Sequence, residues 1–409
     1  MVMDKNQLFV TVPSFFKCPI SMDVMRSPVS LCTGVTYDRT SIQTWLDSGH
    51  NTCPATMQVL DTTDFVPNLT LRRLIHLWSD QPPESDPSFK LPPPISKQEV
   101  FQSIRNIDNH ADDRLISLRK IIGFAKYSDE NRKFLATMDG FLPTMIGVLS
   151  NANEIEVRES IITVLDLILS EDGVKEQLKR LILKSNQNSL SQFVSTLQNG
   201  NLRSKIESAR VLESIAFDAE SQRSIAENQG LLNELYRLIS SETDRTVIEA
   251  GLSVLIAVST SRPVKKELVR FGIVRTVGRI LSGSDTVVPV IEKALKLLEI
   301  LSTCTEGRTA ICDDETCVPA IVHRLMKAST AATEHGIVVL WSVCYLSRDR
   351  TAQEAVMKIN GPTKVLVVMQ SNCSASVRQM CGDLVKVFRV NSKSCLASYD
   401  TKTTHIMPY

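Results

Sequence analysis

The sequence lacks an apolar run long enough to cross a membrane. No window of its 409 residues approaches the roughly 18 to 20 uninterrupted apolar residues of a transmembrane helix. The segment Met1 to Val10 also lacks the basic stretch, apolar stretch and small-residue cleavage site of a secretory signal. We therefore expect no membrane span, reduced cysteines and an intracellular protein. The expected location is cytoplasmic, with the nucleus and the periphery of the plasma membrane as alternatives.

An excess of charge of either sign is absent too. The 46 Lys and Arg residues face 45 Asp and Glu residues, which leaves a net charge of +1. A protein that grips nucleic acid through a global positive field is therefore not expected. Aromatic residues make up only 5% of the chain while Leu, Ile and Val recur throughout, which favours stacked helices over a β-sandwich.

Proline, in contrast, is concentrated in one short stretch. Six of the 17 prolines lie between positions 82 and 94: Pro82, Pro83, Pro87, Pro92, Pro93 and Pro94. Because proline cannot continue a helix, residues 81–95 are predicted to be a stiff, extended linker. A polyproline ligand for another module is the less favoured interpretation.

The chain after this stretch repeats itself. Glutamates recur at intervals of 48, 42, 43 and 42 residues: Glu159, Glu207, Glu249, Glu292 and Glu334. Apolar residues follow each of them five and nine positions later, on one face of a helix. A second register opens new helical segments at Gly140, Gly230, Gly272 and Gly361, with Cys317 in the corresponding place.

A period of this length, with two or three helices per unit, is similar to that of armadillo repeats. We expect a mainly α protein in which six or seven units stack over residues 96–390 as a right-handed α-solenoid, followed by a tail at 391–409. We assign the repeated glutamates to a favourable interaction with the helix dipole, in preference to a carboxylate ladder for a basic ligand. Trp341 is the only tryptophan in this half, which argues against a nuclear import adaptor with a Trp and Asn ladder.

Residues 12–80 read as a different, compact α+β domain. Short apolar runs interrupted by Pro and Gly predict loops and a small hairpin. One helix is predicted from about Asp38 to Ser48 and another from Asn68 to Trp78. The apolar face of the second helix should consist of Leu71, Leu74, Ile75 and Trp78.

Two Cys-Pro pairs, at Cys18 and Cys53, resemble the knuckles of a zinc-binding RING domain, which needs eight ligands in paired spacings. Ser21 and Thr56 stand where each second sulfur would be. Only four candidate ligands remain: Cys18, Cys32, His50 and Cys53. We therefore expect no metal, with a small core and polar contacts in its place; a single residual zinc site is the alternative.

Several short motifs occur here in a fixed order: Cys18-Pro-Ile-Ser, Met25-Arg-Ser-Pro-Val, Gly34-Val-Thr-Tyr-Asp-Arg39, Ile42-Gln-Thr-Trp-Leu46, Gly49-His-Asn-Thr-Cys-Pro54 and Pro67-Asn-Leu-Thr-Leu71. Together they resemble a U-box, the metal-free relative of RING found in ubiquitin ligases. The order of U-box, proline-rich linker and armadillo array resembles the plant U-box/armadillo E3 ligases as a group. The resemblance implies structural roles for Cys18, Pro19, Tyr37, Asp38, Arg39 and Cys53.

Ligases of this kind form no covalent bond to ubiquitin. They bind a ubiquitin-charged E2 enzyme and restrain it, so that a substrate lysine attacks the E2 thioester. The resemblance therefore implies no catalytic nucleophile and no cofactor, and Cys18 and Cys53 are not expected to act as activated thiol nucleophiles. It places E2 contacts at Ile20, Met22, Trp45, Pro54 and Asn68. For Trp45, ordinary core packing is the alternative.

The implied partners are an E2 enzyme, ubiquitin and protein substrates held on the concave surface of the array, in plant stress or immune signalling. Homodimerisation is left open. A cation often follows the second knuckle in such ligases, but Met57 stands there and a thioether cannot donate hydrogen bonds. Priming of the conjugate is then weaker or uses Gln58. The alternative function is a non-catalytic armadillo scaffold with a degenerate U-box.

Overall fold

The computed structural model describes residues 12–79, 95–109, 114–184, 188–228 and 230–396. The predicted linker lies outside these residues except for Ile95, as does the predicted tail after Leu396. Contacts along the chain divide the protein into two units, residues 1–93 and residues 94–409. Within the described ranges, no helix is long and apolar enough to cross a membrane.

The first unit is built on a three-stranded antiparallel sheet with strand order β2-β1-β3. Its strands are β1 (Pro28–Ser30), β2 (Thr36–Asp38) and β3 (Val66–Pro67). A 3₁₀ turn (Ser14–Phe16) precedes the sheet, α1 (Arg39–Asp47) follows β2 directly, and α2 (Leu69–Ser79) follows β3. Val29 lies opposite both Tyr37 and Pro67, so β1 is the central strand.

Both predicted helices of this unit are confirmed. Asp38 caps the start of α1, and Ser48 follows its end. The predicted apolar face of α2 is partly wrong, because Leu74 is 46% exposed while Ile75 is buried. The side chain of Trp78 lies outside the described residues. The core of the unit consists of Phe16, Cys18, Met25, Val29, Leu31, Tyr37, Ile42, Cys53, Leu60 and Ile75.

The second unit is helical throughout its described length. Its helices are α3 (Lys97–Asn109), α4 (Arg114–Tyr127), α5 (Asp129–Thr137), α6 (Phe141–Ser150), α7 (Ile155–Ile168), α8 (Val174–Lys184), α9 (Asn188–Asn199), α10 (Leu202–Ile215), α11 (Ala219–Ala226), α12 (Leu231–Ser241), α13 (Arg245–Val258), α14 (Arg262–Phe271), α15 (Ile273–Ser282), α16 (Val288–Ser302), α17 (Thr305–Asp313), α18 (Cys317–Arg324), α19 (Thr330–Trp341), α20 (Arg350–Lys358), α21 (Gly361–Gln370) and α22 (Ala375–Leu396). A π-helical turn (Ser342–Leu346) continues α19.

Helices that lie three apart in the chain stack on one another, in the order α4, α7, α10, α13, α16, α19 and α22. The repeating unit is therefore three helices, and the helix pair α3 and α4 precedes the first complete unit. We call the stacked helices the third-helix layer. The mainly α prediction is confirmed, and α22 continues past Val390, where the array was predicted to end.

The two registers seen in the sequence have clear structural causes. Gly140, Gly230 and Gly272 precede α6, α12 and α15 with φ values of +80°, +86° and +84°, a left-handed conformation that glycine adopts without steric cost. The apolar residues five and nine positions after each glutamate are all buried: Val164, Ile168, Leu212, Ala216, Val254, Val258, Leu297, Leu301, Val339 and Val343.

The helix-dipole explanation of the repeated glutamates is wrong. Glu159 is the fifth residue of α7, beyond its first turn. Its carboxylate accepts hydrogen bonds from Asn201 N (2.8 Å), Asn201 Nδ2 (2.8 Å) and Ser204 Oγ (2.9 Å) at the start of α10. A carboxylate of one repeat thus binds the first turn of the third helix in the next repeat.

The same joint recurs further along the array. Glu292 on α16 accepts from Oγ of Ser329, the residue that caps α19 (2.7 Å). Glu334 on α19 accepts from the backbone N–H of Ser374, directly before α22 (2.8 Å). Three of the five glutamates therefore connect successive repeats at helix starts.

The remaining two glutamates also bond between repeats. Glu249 pairs with Lys293 Nζ (2.9 Å), one repeat further on. Glu207 accepts from Thr163 Oγ1 (2.5 Å), one repeat back. The glutamate register is therefore a set of bonds between repeats.

Candidate functional site

Two loops of the first unit share one sequence pattern and one backbone geometry. We call residues 18–24 loop 1 and residues 53–59 loop 2; each reads Cys-Pro, two residues, Met, one residue, Val. In loop 1, the backbone N–H of Met22 donates to the carbonyl of Cys18 (2.8 Å), and in loop 2 Met57 donates to Cys53 (2.8 Å). An isolated antiparallel bridge closes each loop, at Val24 and at Val59. Sequence reasoning missed this internal repeat, although the matching residues are visible in the sequence.

Adjacent residues of strand β2 hold the two loops. The Cys18 Sγ of loop 1 accepts a hydrogen bond from Asp38 N (3.3 Å). In loop 2, the Tyr37 hydroxyl lies 3.0 Å from Cys53 Sγ and accepts from Ala55 N (2.9 Å). Since Tyr37 and Asp38 are consecutive, the two loops are fixed side by side, next to the start of α1.

Hydrogen bonds change the acidity of both knuckle thiols. Burial disfavours the thiolate of Cys53, but hydrogen bonds from Thr33, Thr56 and Tyr37 outweigh it and lower its pKa to about 6. Burial is likewise outweighed at Cys18, whose pKa is lowered by hydrogen bonds from Ser21 and from the Asp38 backbone. Neither thiol has any exposed surface. Both sulfur atoms are therefore enclosed by the protein.

Asp38 joins three segments through one buried carboxylate. Its Oδ2 accepts from the backbone N–H groups of Arg26 (2.7 Å) and Ser27 (2.9 Å), and its Oδ1 accepts from Thr40 Oγ1 (2.8 Å). Burial raises the carboxyl pKa, but the bonds from Ser27, Thr40 and Arg26 outweigh it and lower the pKa below its ordinary value. The next residue, Arg39, lies over the ring of Phe65 (5.2 Å). The carboxylate fixes the start of α1 to the segment that enters β1.

Three of the predicted E2 contacts lie on the loops. Ile20 and Met22 on loop 1 are 37% and 71% exposed. Pro54 on loop 2 is half-buried, and Pro19 is exposed beside Ile20. Met57, which sequence reasoning did not include as a contact, is 72% exposed at the tip of loop 2. The signal that could have identified it is its equivalence to Met22.

Trp45 packs partly against the core and lies partly at the surface. Its indole Nε1–H donates to the carbonyl of Thr52 (2.8 Å), directly before loop 2, and its ring stacks on His50 at 3.9 Å. The side chain is half-buried against the core of the unit. Trp45 thus supports loop 2 while part of its ring remains at the surface.

Asn68 lies in a different setting from the other predicted contacts. Its Nδ2 donates to Ser30 Oγ and Thr36 Oγ1 (3.4 Å each), and its Oδ1 accepts from Leu71 N (3.0 Å). These bonds cap α2 and connect it to the sheet. A contact of Asn68 with an E2 enzyme stays a prediction, as do the contacts of the other four residues.

The arrangement supports protein binding. In the described part of the chain, no group of three or more His, Cys, Asp or Glu side chains could hold a metal ion. The exposed side chains of Ile20, Met22 and Met57 are apolar, and their loops are held in place from within by buried hydrogen bonds. We call these three side chains with Trp45 and Pro54 the loop surface. A preorganised apolar surface of this kind loses little entropy when a partner covers it.

The third-helix layer offers a second surface. A cleft of about 290 Å³ lies across α4, α7 and α10, and its lining includes Arg119 and Lys126 from α4 and Glu156 from α7. Further along the layer, Trp341 is half-buried, stacks on Tyr345 (5.5 Å) and donates to Asp383 Oδ2 (3.4 Å). Its ring is tied to the next repeat, so it is not a free ladder residue.

Comparisons with known proteins agree with this division of the chain. The family model described as the U-box domain matches residues 12–83, and the model described as the plant U-box protein ARM repeat region matches residues 98–406. The chain is 48% identical to U-box domain-containing protein 28 of Arabidopsis thaliana, with all of both chains covered. It is 24% identical to the E3 ubiquitin-protein ligase PUB23 of Arabidopsis thaliana, with 94% of each chain covered.

Among solved structures, the designed armadillo repeat protein YIII(Dq)4CqI aligns with a TM-score of 0.50 at 15% identity, covering 60% of this chain and 99% of the designed one. At that identity the likeness shows the fold alone, and it confirms the armadillo prediction for the array. With both halves matched by their family models, the chain belongs to the plant U-box proteins that carry an armadillo repeat region.

Proposed function

We propose that this protein is a U-box E3 ubiquitin ligase. Its loop surface binds a ubiquitin-charged E2 enzyme, its repeats recruit a protein substrate, and ubiquitin passes directly from the E2 cysteine to a substrate lysine. The observation that carries the proposal is the apolar loop surface, presented by two hydrogen-bonded loops within a U-box. Relatives named E3 ubiquitin-protein ligases support it at low identity.

In this proposal, the chain promotes the reaction by positioning the E2 thioester and the substrate amine. The acyl transfer occurs between the E2 thioester and the substrate amine, so holding both on one scaffold raises their effective concentration. Tyr37 and Asp38 are positioning residues, because each holds one loop without reaching the surface. The buried thiols of Cys18 and Cys53 take no part in the transfer.

The proposed setting is stress or immune signalling in plants, in the cytoplasm or at the nucleus or plasma membrane periphery. Family resemblance alone supports this part of the proposal. For the substrate, we propose the third-helix layer as the recruiting surface. Its charged cleft with Arg119, Lys126 and Glu156 is the feature that supports that choice.

A non-catalytic scaffold is the second candidate, and Met57 is the observation that favours it. This side chain stands where a cation would donate hydrogen bonds to the E2 and to ubiquitin, and a thioether cannot donate. The neighbouring Gln58 is exposed and carries an amide that can donate. Under the ligase proposal, Gln58 or apolar contact of Met57 takes over the role of the cation.

Ubiquitin transfer by the purified full-length chain tests the proposal. With E1, a panel of E2 enzymes, ATP and ubiquitin, we expect ubiquitin chains to form, and Ile20→Ala to lower the rate at least about tenfold because it truncates a central apolar contact. Val66→Ala is the matched control, since Val66 is 70% exposed on β3, outside both loops, and should leave the rate unchanged.

The two candidates predict different results. A rate for Ile20→Ala equal to that of the wild type would contradict the proposed loop surface. No transfer by the folded wild-type chain with any E2, together with no NMR shifts of loop 1 and α1 when E2 is added, would favour the scaffold.

A further inference from the structure

Loops 1 and 2 each present a methionine from a backbone conformation that favours glycine. Met22 and Met57 have φ values of +62° and +60°. The left-handed region disfavours any residue with a Cβ atom, and non-glycine residues held in it cluster at functional sites. Their side chains are 71% and 72% exposed, whereas Met25, between the two loops, is buried in the core. The strained backbone of each loop thus turns a flexible thioether outward.

A thioether is well suited to an adaptable protein contact. It is apolar, unbranched and polarizable, so it can follow the shape of several partners. The partner expected at both loops is the E2 enzyme, and by resemblance Met57 stands where a cation would contact both the E2 and the conjugated ubiquitin. An apolar contact there would compensate for the missing cation.

We propose that Met22 and Met57 act as a paired methionine contact for the ubiquitin-charged E2, and that oxidation of their thioethers by hydrogen peroxide releases it. The inference rests on the proposed function. The sulfur attacks one peroxide oxygen, the O–O bond breaks and an S–O bond forms; the sulfur is oxidised, and the other oxygen leaves as water after proton transfer. A sulfoxide is polar, so burying it against an apolar partner is unfavourable.

The fold separates this modification from unfolding. Neither side chain belongs to the core cluster of the unit or packs against it. Each loop is closed by backbone hydrogen bonds, from Cys18 N to Asp23 O and from Cys53 N to Gln58 O (2.8 Å each). Added oxygen at either sulfur therefore changes the surface and leaves the scaffold intact. Methionine sulfoxide reductases reverse the reaction, so the contact can be restored.

The experiment uses the full-length chain. The protein is treated with hydrogen peroxide, catalase removes the peroxide, and dithiothreitol restores reversibly oxidised thiols but not sulfoxides. E1, E2, ATP and ubiquitin are then added, and oxidation at residues 22 and 57 is verified by mass spectrometry. We expect the transfer rate of the wild type to fall about tenfold, the loss typical of an apolar hot-spot contact, and to recover with methionine sulfoxide reductases A and B.

Two variants assign the effect to these residues. In Met22→Leu/Met57→Leu, the ratio of treated to untreated rate should stay near one, because leucine is not oxidised. Met326→Leu is the matched control: Met326 lies in the array, with φ +62° and 50% exposure, and this variant should remain as sensitive as the wild type.

The outcomes separate this inference from the proposed function. An untreated wild type that transfers no ubiquitin contradicts the ligase proposal itself. An active wild type whose rate and E2 affinity survive verified oxidation of both residues overturns this inference alone. So does a rate that the reductases fail to restore, or an equal loss in the double variant, because the damage then lies elsewhere.

Discussion

At the scale of single residues, hydroxyl and carboxylate groups occupy the place of metal ligands in the U-box. Ser21 and Thr56 stand where RING domains carry a second sulfur, and their hydroxyls accept hydrogen bonds within the same loops, from Asp23 N (3.4 Å) and Gln58 N (3.5 Å). Asp38 adds four hydrogen bonds to three other residues. The knuckles are thus closed by polar contacts within the chain.

We expect Asp38→Ala to destabilise the U-box by about 2–4 kcal/mol, because it leaves two half-buried backbone N–H groups without acceptors and removes the cap of α1. Hydrogen exchange of the full-length chain, read by mass spectrometry on peptides from β1, β2 and α1, measures the loss. Asp47→Ala is the control, because Asp47 is exposed at the other end of α1 and accepts only from Gln43 Nε2. It should change stability by less than about 0.5 kcal/mol.

The Asp38 contribution also depends on pH. Because its pKa is lowered from 3.8 in the folded state, the unfolded chain binds more protons as the pH falls through that value. The stabilisation is therefore complete above about pH 5 and is lost towards lower pH. The stability difference between wild type and Asp38→Ala should shrink as the pH falls; a constant difference would contradict the assigned pKa shift.

For the U-box, the sequence predicted structural residues better than it predicted the contacts that those residues make. Six residues were placed as structural by resemblance. Four of them are buried, while Arg39 is half-buried and Pro19 is exposed: Cys18, Tyr37, Asp38 and Cys53 are the buried ones. Their partners were not predictable, because the bonds join residues 11 to 20 positions apart across the sheet. The left-handed backbone of Met22 and Met57 was missed because propensity assigns that conformation to glycine.

At the scale of helices, local and distant interactions differ in how far they could be predicted. Three of the four glycine turns were predicted correctly, because glycine adopts a positive φ value without steric cost; before α21 the positive φ value (+56°) belongs to Asn360 and not to Gly361. The role of the glutamates was predicted wrongly, because the partner of Glu159 lies 42 residues away in the sequence. The exposure of Leu74 on α2 was missed for a similar reason: periodicity marks the apolar residues of a helix but not which of them the neighbouring elements cover.

We expect Glu159→Ala to loosen the start of α10. It removes three hydrogen bonds that the carboxylate accepts, one of them from a backbone N–H. The expected loss of stability is about 1–3 kcal/mol. Hydrogen exchange should accelerate in the first turn of α10. Glu156→Ala, an exposed position one turn earlier on α7, is the control and should leave α10 unchanged. Equal exchange rates in both variants would show that the joint does not stabilise the start of α10.

At the scale of the whole molecule, each unit has an apolar core of its own within the described residues. The U-box encloses ten buried residues, and the array has one continuous apolar cluster from Val100 to Phe388. Metal-dependent domains unfold when a chelator removes their ion. The packing described for both units explains how hydrophobic burial and hydrogen bonds can replace that contribution.

We therefore expect excess EDTA to leave the thermal unfolding of the full-length chain unchanged and its ubiquitin transfer intact once the magnesium required by E1 is restored. Differential scanning calorimetry with and without chelator measures the first effect. A zinc-binding RING protein treated in parallel should lose its structure. A lowered melting temperature for this chain, recovered by zinc, would instead support the residual metal site that the sequence left as an alternative.

The joints between repeats have a consequence for how such arrays change length. Each joint takes its acceptor from one repeat and its donors from the next, as between Glu292 and Ser329 or between Glu334 and Ser374. Duplication of a whole period that carries such a joint brings an equivalent glutamate to an equivalent helix start, so the bond can form again; Glu207 and Glu249 bond differently. A rearrangement that does not preserve the repeat period leaves the glutamate carboxylate and the helix start without their hydrogen bonds to one another. At these joints, the spacing of the glutamates therefore makes one whole period the unit by which repeats can be gained or lost.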